Sequence, residues 1–108
     1  MSARLTPLEL RARLARGDDL QLVDVREPCE WALGHLPGSV LIPRGELAAR
    51  LSELDPDRPV VCICHHGVRS LQSAALLRAR GFAQVYDLAG GLDRWSLEAD
   101  PGFPRYGN

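Results

Sequence analysis

One short stretch of the chain, Cys64-His65-His66-Gly67-Val68-Arg69, gathers residue types that can do chemistry together. Val60 to Cys64 is the most strand-like run in the sequence, and the spacing predicts a helix from about Ser70 to Arg80. A thiol at the end of a strand and ahead of a helix sits where open α/β sheets bind their ligands. The N–H groups of so short a loop can turn inward and form an anion-binding concavity. The helix start adds unpaired N–H groups and the positive end of its dipole. Arg69 adds a permanent positive charge at the same end. Such surroundings favour a thiolate over a thiol, so Cys64 is the expected nucleophile. The same cradle would stabilise a persulfide, whose outer sulfur is also negative. Gly67 lets the backbone pass close to the bound group.

The neighbouring residues admit blander roles. Cys62 falls two residues before Cys64, on the same side of the strand and one pleat back, and is expected to pack in the core. Cys29 lies in a short predicted helix, as a bystander. Cys62, Cys64, His65 and His66 look superficially like a metal cluster, but zinc needs four ligands converging tetrahedrally. With Cys62 pointing inward and the loop wrapping outward, no metal site is expected. His65 and His66 are expected on a rim near a donor anion, able to be partly charged near neutral pH. Asp24, Arg26 and Glu30 are expected to fix the turn beside the site through hydrogen bonds and an ion pair, with Arg26 also a candidate second anion contact. His35 is expected to be structural in a tight Gly34–Gly38 turn, and Trp95 to anchor the last helix.

The elements that must hold this loop can be read along the chain. Thr6, Pro7 and Glu9 mark a capped helix start, with Leu5 and Leu10 placed for a hydrophobic staple and Gly17 for a stop. Leu20 to Val25 reads as a strand, Pro28 to Leu33 as a short helix, and Ser39 to Ile42 as a second brief strand. Glu46 to Leu54 is expected to be helical, with Leu47, Leu51 and Leu54 on one face. Asp55-Pro56-Asp57-Arg58-Pro59 breaks the chain before the strand that ends at Cys64. Gly81 suits the left-handed residue after the next helix, with Phe82 packing back on Leu77. Val85 to Leu88 is a further strand, Gly90 to Trp95 opens a last helix, and the tail from about residue 99, with Pro101, Gly102, Pro104 and Gly107, is expected to be irregular. Strands alternating with helices in this way imply a parallel α/β sheet with helices on both faces.

Composition limits the rest. At 108 residues and 45% hydrophobic, residues 1–108 are expected to form one domain able to fold without disulfides. A net charge of -1 gives no electrostatic reason to bind nucleic acid or an anionic membrane. All basic residues are arginine, so no lysine chemistry is available. No run approaches the ~20 apolar residues of a membrane span, and Met1 to Leu5 lacks the apolar core of a signal peptide. An odd count of three cysteines argues against a disulfide framework, and the expected compartment is the cytoplasm.

Three ordered stretches resemble the rhodanese superfamily. They are Asp24-Val25-Arg26-Glu27 with Glu30-Trp31 and Gly34-His35-Leu36-Pro37-Gly38-Ser39; the Cys64 to Arg69 loop; and Gly90-Gly91-Leu92-Asp93-Arg94-Trp95. The resemblance implies a single rhodanese-like domain with a five-stranded parallel sheet. It implies a sulfurtransferase that moves a sulfane sulfur from a donor such as thiosulfate, through a Cys64 persulfide, to cyanide, a small thiol or a protein cysteine, with no cofactor. It matches Cys64 to the persulfide cysteine and His65, His66, Gly67, Val68 and Arg69 to the residues whose amides surround the sulfur. This chain has two histidines where tandem members carry basic residues, which leaves its natural donor open. Related phosphatases on this fold carry a loop one residue longer. The shorter ring here, with Arg69 five positions after Cys64, suits a sulfur atom and crowds a phosphate. The alternatives are a phosphatase or arsenate-handling enzyme on the same fold, or a non-catalytic sulfur-carrying or interaction module.

Overall fold

The computed structural model describes residues 3–106, so Gly107 of the predicted tail lies outside the described residues. Helix α1 (Pro7–Ala15) begins as its sequence dictates. The Thr6 hydroxyl accepts the Glu9 N–H at 3.1 Å, and the Glu9 carboxylate accepts the Thr6 N–H at 2.8 Å. Pro7 takes the first helical position, where an N–H has no partner to lose. Leu5 and Leu10 are both buried in one apolar cluster.

Strands β1 (Arg4–Leu5), β2 (Gln21–Asp24), β3 (Val40–Leu41), β4 (Val60–Ile63) and β5 (Val85–Leu88) form one sheet in the order β1-β5-β4-β2-β3. Every pairing is parallel. Strand β1 is too short for any periodicity to announce it. It exists because Arg4 and Leu5 align with Asp87 and Leu88 of β5.

Strand β4 lies at the centre, buried on both sides, which is why it reads as an unbroken apolar run. Its alternation sorts the core into two layers. Val60, Cys62 and Cys64 face a cluster with Ala74 and Leu77 of helix α3 (Val68–Ala79) and with Leu47 and Leu54. Val61 and Ile63 face a second cluster with Leu10 of α1 and with Leu92 and Trp95 of helix α4 (Gly91–Glu98). Helices therefore cover both faces of the sheet. Among the described residues no helix is long and apolar enough to cross a membrane.

The segment expected as a regular helix over 46–54 is instead a 3-10 helix, Arg44–Glu53, broken at Arg50 (φ −118°, ψ 21°). Arg50 pairs with Glu46 at 3.0 Å and Glu53 at 2.7 Å across the break. The tighter winding still delivers Leu47 and Leu54 to the core. Helix α3 ends where its sequence indicates. Gly81 takes φ +90°, and the Phe82 N–H donates to the Leu77 carbonyl at 3.1 Å.

The start of α4 is docked directly on the Cys64 loop. The Leu92 N–H donates to the Cys64 carbonyl at 2.8 Å, and the Asp93 N–H to the His65 carbonyl at 3.0 Å. Gly91 makes this approach possible: its φ is +64°, and a Cβ there would fall inside the backbone of Cys64 and His65. Gly91→Ala should therefore cost about 3 kcal/mol or more, from left-handed strain and backbone collision together. Gly81→Ala, where φ is +90° but no atom lies within 4 Å, should cost only the strain, about 1–2 kcal/mol. Denaturant unfolding of the two variants checks the difference.

Candidate active site

Cys64 follows β4 at the carboxyl edge of the sheet, beside the residues that follow β2. It is 1% exposed. Its Sγ accepts the Gly67 N–H at 3.0 Å and the Ser70 N–H at 3.3 Å. The Ser70 hydroxyl lies 3.3 Å from Sγ, able to receive a thiol proton or to donate to a thiolate. Both amides belong to the start of α3, whose unpaired N–H groups and dipole face the sulfur. Gly67 is held from beneath: its carbonyl lies 3.5 Å from Arg4 Nη2, and Arg4 Nε donates to the buried Asp87 at 2.9 Å. Cys62, one pleat back, is fully buried. Burial, together with the Asp87 carboxylate, pushes its thiol up to about 12.

The arginines are held in ion pairs, Arg69 with Glu30 and Arg26 with Asp24. Arg69 does not point a free charge at the loop. Its guanidinium grips Glu30 with two bonds, Nη1 to Oε1 at 2.6 Å and Nη2 to Oε2 at 2.9 Å. Glu30 stands on helix α2 (Pro28–Leu33), which brings it to the start of α3. Arg26 is wholly buried. Its Nε and Nη2 donate to the Asp24 carboxylate, Nη2 also to the Gly34 carbonyl at 2.7 Å, and Nη1 to the Glu30 carbonyl at 3.3 Å and the Tyr106 hydroxyl at 2.9 Å. The N–H groups of Arg26 are thus occupied inside the frame, with Asp24 as its buried partner.

The histidines also differ from the expected charged rim. His65 is 6% exposed, and neither ring nitrogen has a partner among the described residues. Burial pushes its pKa down, and the neighbouring His66 adds to this. His66 is half-exposed, its Nδ1 4.0 Å from an Asp93 carboxylate oxygen. The Val68 side chain is exposed. His35 stacks on Trp31 at 3.6 Å, and Cys29 is exposed on α2. Among the described residues no three His, Cys, Asp or Glu side chains form a group that could hold a metal ion.

Two contributors escaped the sequence. Ser70 stands in the first turn of α3, where its N–H is necessarily unpaired, so a signal existed. Tyr106 gave none, because it lies in a tail without periodicity. Its ring stacks on His65 at 4.1 Å, and its hydroxyl donates to Glu30 Oε2 at 2.8 Å while accepting from Arg26.

The Glu30 carboxylate thus collects Arg69, Tyr106 and the Glu27 N–H. The Arg69 bonds are the main cause that holds its pKa down from 4.5 to about 2. A carboxylate lowered on folding contributes stability above its unfolded pKa and loses it as pH falls through the folded value. The difference in melting temperature between the parent and Glu30→Gln should therefore be largest above pH 4.5 and shrink as pH drops toward 2. Thermal melts of both proteins across that range check it.

Comparison with known proteins follows the same residues. The family model for the rhodanese-like domain matches residues 6–98. A protein named "Sulfurtransferase" from Allochromatium vinosum is 39% identical over 92 residues, covering 85% of this chain and 86% of its own. "Probable adenylyltransferase/sulfurtransferase MoeZ" of Mycobacterium tuberculosis is 38% identical over 104 residues, and this chain spans only 26% of its length. The solved structure of the human single-domain sulfurtransferase TSTD1 superposes with a TM-score of 0.78 at 29% identity, covering 91% of this chain and 98% of that one. The match runs through the Cys64 loop, the strand before it and the glycine-led helix docked on it, and on that ground the chain belongs to the rhodanese-like sulfurtransferase family.

Proposed function

We propose that this chain, acting as a single domain, carries sulfur as a persulfide on Cys64, with thiosulfate or a similar small donor. The observation that carries this reading is the cradle: one sulfur atom meets two helix-start amides and a hydroxyl. Cys64 thiolate attacks the outer sulfur of thiosulfate. The new S–S bond forms as the old one breaks, and sulfite leaves with the electron pair. The terminal persulfide sulfur keeps the negative charge, which the amides of Gly67 and Ser70 stabilise. An acceptor nucleophile, such as cyanide, a small thiol or a protein cysteine, then attacks that terminal sulfur. Cys64 departs as a thiolate and the cycle closes. The unpaired thiols suit a reducing compartment such as the cytoplasm.

Intact-mass measurement after incubation with thiosulfate should show a gain of one sulfur atom, removed by later cyanide. Cys64→Ser should abolish the gain. Cys29→Ser and Cys62→Ser should keep it, since one thiol is exposed away from the cradle and the other is buried and held protonated. Full sulfur loading of Cys64→Ser would end the proposal.

Arg69 enters through Glu30. Arg69→Leu would leave the Glu30 carboxylate uncompensated beside the loop. Loss of a charge-assisted bond of ~1.5–3 kcal/mol should then weaken thiosulfate use by roughly tenfold, mostly in KM. An uncharged sulfur donor should suffer little. Steady-state kinetics on both donors decide it, and equal losses would assign Arg69 to structure alone.

A further inference from the structure

We propose that residues 103–106 form a strap that closes the site, with Tyr106 as a specificity-determining residue that admits small sulfur donors and acceptors and excludes bulky ones. The strap lies beyond the residues matched by the family model, which end at 98. It is nonetheless fastened residue by residue. Phe103 is buried in the second core cluster with Leu92 and Trp95. Pro104 packs against Gly34, where a Cβ would come within 2.9 Å of its ring. Arg105 pairs with Asp93 at 3.0 Å, on the helix docked to the Cys64 loop. Tyr106 completes the series, its hydroxyl bridging Arg26 and Glu30 and its ring lying 4.1 Å from the His65 ring, 21° from parallel.

Three anchors on different elements thus lead to Tyr106, which alone of the four stacks on the Cys64 loop. His65 is 6% exposed beneath the Tyr106 ring, and the adjacent Cys64 is 1% exposed. His65 lies beneath Tyr106 with both ring nitrogens unpartnered, next in sequence to the nucleophile. The Tyr106 ring thus covers the residue next in sequence to the nucleophile. A reactant must either fit beneath the Tyr106 ring or wait for the strap to lift, and its apparent reactivity then scales with the open fraction.

This inference rests on the proposed function for its reaction but is tested on access to the thiol alone. In a Cys29→Ser background, Cys64 is modified with methyl methanethiosulfonate and with its benzyl analogue. The two reagents share one chemistry, in which the thiolate forms a mixed disulfide and methanesulfinate leaves, and differ in the bulk of the transferred group. Tyr106→Ala should raise the benzyl-to-methyl rate ratio by roughly tenfold, as expected if the closed form predominates. Tyr106→Phe keeps the ring but loses the hydroxyl bridge to Arg26 and Glu30, and should raise the ratio by less than Tyr106→Ala does. An unchanged ratio in Tyr106→Ala, including equal acceleration of both reagents through a loosened fold, overturns the strap. So does a Tyr106→Phe ratio that rises as far as that of Tyr106→Ala. Thiosulfate loading followed by intact mass is run beside these rates. A shifted ratio without sulfur loading would retain the strap and sink the proposed function, and the reverse result would do the opposite.

Discussion

The constraint on which the rest of the site depends is a guanidinium with no exposure to water. Arg26 is wholly buried, and a buried charge is tolerated only with a counter-charge and partners for its N–H groups. Those partners come from different parts of the chain: Asp24 at the end of β2, the Glu30 and Gly34 carbonyls of α2 and its exit, and the Tyr106 hydroxyl of the tail. Satisfying one side chain therefore fixes where α2 lies against the sheet and where the tail crosses it. Glu30 carries the arrangement outward, since its carboxylate takes both Tyr106 and Arg69. Arg69 sits in the first turn of α3, one residue before the Ser70 amide that meets the sulfur. The ion pairs that resemble an anion site are thus the scaffold of one.

The cradle itself uses two helix starts in complementary ways. Helix α3 gives its free N–H groups to Sγ, and helix α4 gives its own to the carbonyls of Cys64 and His65. The loop is held at its backbone by one helix while its nucleophile is held by the other. A preorganised set of donors aimed at one atom needs no rearrangement when charge settles there. Arg4 serves the same end from the sheet, joining the buried Asp87 to the Gly67 carbonyl and so orienting the peptide plane whose neighbour donates to the sulfur.

Much of this was legible in the residues. The capping box at Thr6, the left-handed Gly81 and the central strand ending at Cys64 all follow from short-range rules, and short-range geometry honours them. The sheet's parallel order and its helices on both faces followed from alternation of elements. What escaped depends on distance along the chain. Strand β1 has two residues and no pattern, and only pairing with β5 makes it a strand. Arg69 carries a charge whose direction is decided by Glu30, 39 residues away. His65 was expected on a rim and able to be partly charged, but Tyr106 covers it from 41 positions away, and burial pushes its pKa down. Spacing shows which groups can share a loop; it does not show what a remote segment lays on top of them.

The two strand cysteines display the same division between local pattern and placement. Cys62 and Cys64 share a face of β4 and a core cluster, and two residues separate them. Their chemistry diverges because the sheet ends between them. Cys62 is still inside the ladder, opposite Asp87 in β5 and Val23 in β2, where neighbouring amides are already bonded to other strands. Burial and the Asp87 carboxylate outweigh the favourable charge of Arg78 and push the thiol up to about 12. One pleat further on the ladder gives way to the loop, and the next amides in space belong to a helix that has not yet begun to pair its own. Cys64 is as buried as Cys62, so exposure does not distinguish the two. The distinction is the supply of unpaired N–H groups, which a parallel α/β sheet concentrates at its carboxyl edge and nowhere along its strands.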